Sequence, residues 1–200
     1  MREVSDVRSR LIAAARAEFL RCGYQKASLR SIAQAAGVST GSVYFFFGSK
    51  EELFHAVVDG TADEMRRLLL EGGKSEYDGT VSGEENDRAF IACLHAHPEE
   101  SVILLERAAD SPMAHFRDEI IALLEKEFMA FFLRAGGKVQ DAPLISLIVG
   151  QRVHAMLSLI ACRYDIRTTM EYAVLLGVFG DAGFSGMMQQ YNQMQRGSAE

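Results

Sequence analysis

Between residues 26 and 50 the chain gathers cations, hydroxyls, aromatic rings and a glycine at short spacing: Lys26, Ser28, Arg30, Ser39, Thr40, Gly41, Ser42, Tyr44, Phe45 and Lys50. Ammonium, guanidinium and hydroxyl groups bond phosphate oxygens, while small hydroxyls and apolar rings reach base edges. The chemistry to expect is recognition of a nucleic acid rather than bond-making. No Ser/His/Asp or Cys/His arrangement and no phosphate loop stands out elsewhere, which weighs against an enzyme. Cys22, Cys93 and Cys162 lie far apart with no CxxC, and read as free thiols rather than a disulfide frame. His95 and His97, in "CLHAHP", read as a helix end before Pro98 rather than as metal ligands. No metal and no cofactor is expected.

Those residues need helices to hold them. Apolar residues recur at three- and four-residue spacing from Val7 to Cys22 (Leu11, Ile12, Ala15, Phe19, Leu20), and Gly23 is expected to stop that first helix. Ser28 caps a second helix, whose Leu29, Ile32, Ala33 and Ala36 form one stripe ending at Gly37. Ser39 caps a third, short helix that ends at Gly48. Ser49 with Glu52 forms a capping box that opens a fourth helix to about residue 71. Two short helices joined by "AGVS", with small residues, a glycine turn, Val38 as a core peg and a serine cap, make a helix-turn-helix.

At about 100° per residue the third helix divides its own rings. Ser39, Phe46 and Phe47 fall on the side of Val43, whereas Gly41 and Phe45 fall opposite. Phe47 is expected in the core, Phe46 at the border, and Phe45 facing a groove where it can meet a thymine methyl.

The stretch "RLIAAARAEFLRCGYQKASLRSIAQAAGVSTGSVYFFFGSKEELF" (10–54) closely resembles the TetR family of bacterial transcriptional regulators. The resemblance implies a three-helix DNA-binding head at 1–53 and a helical ligand-binding and dimerisation domain at 54–200. It also implies a repressor that binds a palindromic, double-stranded operator as a homodimer and is released by a small-molecule inducer. In the family pattern Tyr-x-[His/Tyr]-Phe, then Lys after the serine cap, Tyr44, Phe47 and Lys50 match. Tyr44 and Lys50 would then contact phosphate, with Lys26, Ser28 and Arg30 positioning the backbone. Phe46 departs from the pattern because it has no polar tip, a loss of roughly 0.5–1.5 kcal/mol if that position bonds phosphate.

The rest of the chain reads as helix too, near 84–96, 98–110, 113–135, 141–164 and 168–193, making an all-α protein of about nine helices. Gly177, Gly180 and Gly183 are expected to interrupt the last, and "GGKSEYDGTVSGEEND" (72–87) to be a loop. With 48% hydrophobic residues and 24% charged, the 200 residues can bury a sizeable core. Residues 1–53 hold eight Lys/Arg against five Asp/Glu, net +3, while the remainder is net −9. A mildly basic head on an acidic body keeps nucleic acid in play despite the overall −6. "LISLIVGQRVHAMLSLIA" (144–161) carries Arg152 at its middle, so a buried helix is expected and no membrane partner. A charged N-terminus unlike a secretory signal makes a cytoplasmic location the expectation.

An inducer pocket, apolar with a few polar anchors, is assigned to His95, Arg107, Phe116, Arg117, Phe128, Phe132, Arg152 and Met156. The last two helices, apolar over more than one face, are expected to form a four-helix bundle across a twofold axis. A helical interaction module with a degenerate head is the alternative that the acidic body and Phe46 keep open.

Overall fold

The computed structural model describes residues 2–77 and 83–197, with side chains for 5–72 and 88–196. Among them are nine α-helices, one 3-10 turn and no strand. They are α1 (Arg2–Lys26), α2 (Leu29–Ala35), α3 (Thr40–Phe47), α4 (Lys50–Tyr77), α5 (Gly83–Ala96), α6 (Pro98–Glu106), α7 (Phe116–Arg134), the 3-10 turn Val139–Asp141, α8 (Ala142–Ala161) and α9 (Ile166–Gly197). The chain is all-α, as its apolar periodicity requires. It divides into two compact units, Met1–Arg66 with Ala96–Glu119, and Arg67–His95 with Ile120–Glu200.

In the first unit α1 packs on α2 and α6, and α2 on α3. Leu11, Ala15 and Phe19, spaced by one helical turn, are fully buried. Around them lie Ile32, Val43, Phe47, Leu53 and Phe54. Phe54 meets Phe19 and Tyr24 edge-on, with ring centroids 5.0 Å apart in each pair. Arg16 on α1 clasps the start of α6, Nη1 donating to Glu100 Oε1 at 2.7 Å while Nε lies 3.3 Å from Glu99 Oε2. Arg66 forks onto Glu119 at 2.7 and 2.9 Å and lies 4.9 Å above the Phe116 ring. That hydrogen-bonded pairing lowers the Glu119 carboxyl below its ordinary value.

In the second unit α8 packs on α9 and on the 3-10 turn. Ile145, Val149, Val153, Leu157 and Ile160 make its buried stripe. Phe184 on α9 packs against Phe128 and Phe131 of α7 at 5.4 and 4.9 Å. Phe132 packs on Tyr191, whose hydroxyl donates to Asp141.

Gly23 ends the regular part of α1 as expected: its backbone is non-helical (φ 75°, ψ 169°), and a second short helical stretch follows the kink to Lys26, with the Tyr24 amide donating to the Arg107 carbonyl at 3.2 Å. Three expectations change. Residues 72–77 and 83–87 are helical rather than loop, because α4 runs to Tyr77 and α5 begins at Gly83; residues 78–82 of the expected loop lie outside the described residues. α9 is uninterrupted through Gly177, Gly180 and Gly183. A glycine keeps its amide and carbonyl, so it weakens a helix by about 1 kcal/mol without removing a ladder bond. Finally, α8 is buried on one side only: 33% of its most apolar window lies inside, and Leu147 is 69% exposed. By length and composition this segment could cross a membrane, yet its Arg152 guanidinium lies 5.7 Å over the Phe128 ring.

Candidate nucleic-acid interface

The recognition element is built from capped ends. Ser28 has extended backbone angles and its hydroxyl accepts from the Ser31 amide, opening α2. At the other end the Gly37 amide donates to the Gln34 carbonyl and the Val38 amide to the Ala33 carbonyl. Gly37 turns the chain at φ +68°, a left-handed conformation that costs other residues energy. Arg10 secures this turn from α1 by donating to the Ala36 carbonyl at 2.9 Å. Ser39 then opens α3, its hydroxyl accepting from the Ser42 amide at 3.2 Å, and Gly48 closes it at φ +66°. Ser49 accepts from the Glu52 amide at 3.0 Å, which starts α4.

Removing the α3 cap tests this construction. Ser39→Ala is expected to cost about 1 kcal/mol, read as a lowered midpoint in urea unfolding. An unshifted midpoint would show that the turn holds α3 without the cap.

On α3 the rings separate as their angular positions require. Phe47 is 4% exposed, Phe46 half-buried and Phe45 80% exposed, with Tyr44 at 55%. Thr40 and Ser42 are half-buried near the helix start, and Ser42 Oγ shares a 3.0 Å hydrogen bond with Ser39 Oγ. Gly41 is exposed, and a Cβ there would meet only Ser39 Oγ at 3.6 Å, an ordinary contact. Lys26 and Arg30 are exposed at the two ends of the segment that enters α2. Lys50 is held in place: its Nζ donates to the Gln25 carbonyl at 3.2 Å and lies 4.5 Å over the Tyr24 ring. Burial, with Glu51 nearby, raises the Tyr24 phenol above its ordinary range, so that ring is neutral beneath the ammonium.

Sequence reading overlooked three residues that hold this surface together. Arg10 ties the turn, Arg8 lies 5.2 Å over the Phe47 ring, and Glu18 accepts from the Ser28 amide while pairing with Arg21. The contacts to Ala36, Phe47 and Ser28 span 10 to 39 positions of the chain, so no local pattern announces them.

The expected inducer residues fall in both units. Arg107, Phe116 and Arg117 belong to the first, where Phe116 is buried and Arg117 donates to the Leu105 carbonyl at 3.4 Å. His95, Phe128, Phe132, Arg152 and Met156 belong to the second, where Arg152 meets Phe128 and His95 Nε2 lies 3.1 Å from the Tyr164 carbonyl oxygen. A separate apolar groove of about 410 Å³ is lined by none of these eight residues. Ala155, Ser158, Leu159 and Cys162 form one wall, and Tyr172, Leu175 and Leu176 the other. Spacings of three and four on each helix were the signal available for it. Among the described residues no group of His, Cys, Asp and Glu is placed to hold a metal ion.

A capped helix-turn-helix that presents its second helix outward, flanked by cations, is the architecture of a helix-turn-helix DNA-binding domain. Residues 11–57 match the family profile described as bacterial regulatory proteins, tetR family. The family profile, the curated relatives and the solved structures of similar fold all indicate the TetR family. It is 35% identical over 72 residues to the transcriptional repressor AcnR of Corynebacterium glutamicum, covering 36% of this chain and 38% of that one. To the transcriptional repressor KstR2 of Rhodococcus jostii it is 29% identical over 123 residues, 62% of this chain and 54% of that one. The chain thus spans only about a third to a half of these relatives' lengths. Its fold is similar to that of a TetR-like transcriptional regulator from Rhodococcus sp. RHA1, with TM-score 0.61 and 22% identity over 88% of this chain and 96% of that one.

Proposed function

We propose that the chain is a cytoplasmic repressor that binds a palindromic operator as a homodimer and is released by a small molecule bound in residues 54–200. The observation that carries the DNA reading is the outward face of α3. It presents Tyr44 and Phe45, with Lys26 and Arg30 exposed alongside and Lys50 held at the start of α4. Thr40 and Ser42 near the start of α3, with Ser39 as its cap, meet the bases or phosphates closest to the axis of approach. Ser28 serves as cap and backbone positioner. Among the described residues nothing requires glycine at 41, which fits a close approach of backbone to DNA. Two relatives named as repressors support repression over activation.

The dimer reading rests on a different surface. Leu147 on α8 and Leu175, Leu176, Val178 and Phe179 on α9 are large, apolar and exposed. A Cβ placed at Gly150, Gly177 or Gly183 would meet nothing within 4 Å, which leaves room for another helix. A twofold through these helices matches the symmetry of two half-sites. Inducer binding acts by favouring a conformation of the body that sets the two heads out of register, limited by the ligand's preference between states. Arg152 over Phe128, with Met156 one turn further along α8, supplies one cation among apolar groups suited to anchoring such a ligand.

A gel shift of the full chain on the DNA upstream of its own gene tests the proposal, with the salt slope counting phosphate contacts. Tyr44→Phe is expected to weaken operator binding about 10-fold or more per half-site, the worth of one hydrogen bond to a charged oxygen. An isotherm unchanged within error removes Tyr44 from the contact.

A further inference from the structure

The recognition helix reads "TGSVYFFF". It holds no Arg or Lys to fork onto guanine, no Asn or Gln to pair with adenine, and no carboxylate to accept from cytosine. Ser42 spends a hydroxyl bond on Ser39, leaving Thr40 and Tyr44 as its other polar side chains. The one major-groove feature that an apolar ring recognises is the C5-methyl group of thymine.

Phe45 is placed for that contact and is held there. Its ring is 80% exposed and meets the Phe46 ring edge-on, with centroids 5.2 Å apart and planes at 90°. Phe46 in turn lies 6.5 Å from the ring of buried Phe47, over which the Arg8 guanidinium sits at 5.2 Å. Three consecutive rings therefore run from the core to the surface. An exposed phenylalanine on an isolated helix would be free to turn about two side-chain bonds. Here the neighbouring ring face restricts it before any partner arrives, and less freedom is lost on contact.

We propose that Phe45 is the specificity-determining residue of the DNA face, a reader of thymine methyl groups, and that Phe46 is the positioning residue that aims it. The operator is then selected by thymines at fixed places rather than by paired hydrogen bonds to guanine or adenine. The polar tip that Phe46 lacks is replaced by a ring face that supports its neighbour. This rests on the reading of α3 as the DNA-facing helix.

The experiment separates the two. The full-length chain is used to recover bound sequences from a pool of randomised DNA duplexes, and the recovered duplex is remade with deoxyuridine at each thymine in turn. Loss of one methyl contact is expected to weaken binding about fourfold at one thymine per half-site. Replacing both symmetric thymines is expected to weaken it about fifteenfold. Phe45→Ala is expected to bind the thymine and uracil duplexes equally, with the salt slope of the wild type. Phe46→Ala is expected to reduce the thymine preference without changing that slope, and Phe45→Leu to keep part of it.

A wild-type chain that binds a recovered duplex but ignores uracil at every position overturns the methyl reading and leaves DNA binding standing. A Phe45→Ala chain that retains the full thymine preference also overturns it. Recovery of no duplex at all overturns the DNA reading itself, and the methyl reading with it.

Discussion

Phe54→Ala is expected to lower the stability of the first unit by about 3–5 kcal/mol, the usual cost of emptying a fully buried aromatic site. Phe54 has no exposed surface and stands between Phe19 and Tyr24, edge-on to both. Removing it takes away the edge-on partner of two rings that stack on each other at 5.9 Å, and leaves a cavity that the flanking helices cannot close without moving α1 against α4. The effect reaches the proposed DNA face by a short route, because Lys50 lies 4.5 Å over the Tyr24 ring. Urea unfolding followed by circular dichroism measures the loss, and operator binding is expected to fall in parallel. Phe54→Leu keeps most of the volume and is expected to cost roughly 1.5 kcal/mol or less. Equal losses for the two variants would show that the ring packing contributes nothing beyond burial.

The second large effect concerns assembly. Phe179→Asp is expected to convert the proposed dimer to monomer at micromolar concentration, weakening self-association on the order of a hundredfold or more. Phe179 is 76% exposed in the single chain and continuous in sequence with exposed Leu175, Leu176 and Val178. In a twofold interface each substitution occurs twice, so two carboxylates would be stripped of water against an apolar face. Loss of the dimer also removes the second half-site, and operator affinity is expected to drop with it. Light scattering and a gel shift read the two effects separately. A variant that keeps the wild-type dimer mass places the dimer contact elsewhere, and a wild-type chain that is itself monomeric overturns the homodimer.

The helix-turn-helix was legible because its determinants are local. Ser28, Ser39 and Ser49 each cap a helix within three residues of themselves, as the bonds to Ser31, Ser42 and Glu52 show. Gly37 and Gly48 sit where the backbone turns left-handed. The unequal placement of Phe45 and Phe47 follows from helical rotation alone. Gly23, also at positive φ, breaks α1 where expected, and the Tyr24 amide after it donates to the Arg107 carbonyl. Where the reading failed, local rules were too weak to decide. The three glycines of α9 leave its hydrogen-bond ladder whole.

By itself, then, the sequence determined the helical class, the capped turn, and which ring of "YFFF" faces outward. Each depends on bonds and rotations spanning a few residues, which the chain carries wherever it goes. Only the tertiary structure decided that Arg16 clasps Glu99 and Glu100, 83 and 84 positions along the chain, and that Arg66 forks onto Glu119. It likewise decided which side of α8 is buried, and it made the groove between α8 and α9 from two helix faces. An arginine's composition does not choose its carboxylate, and an apolar face does not choose its cover. Both choices are made by which helices the fold brings side by side.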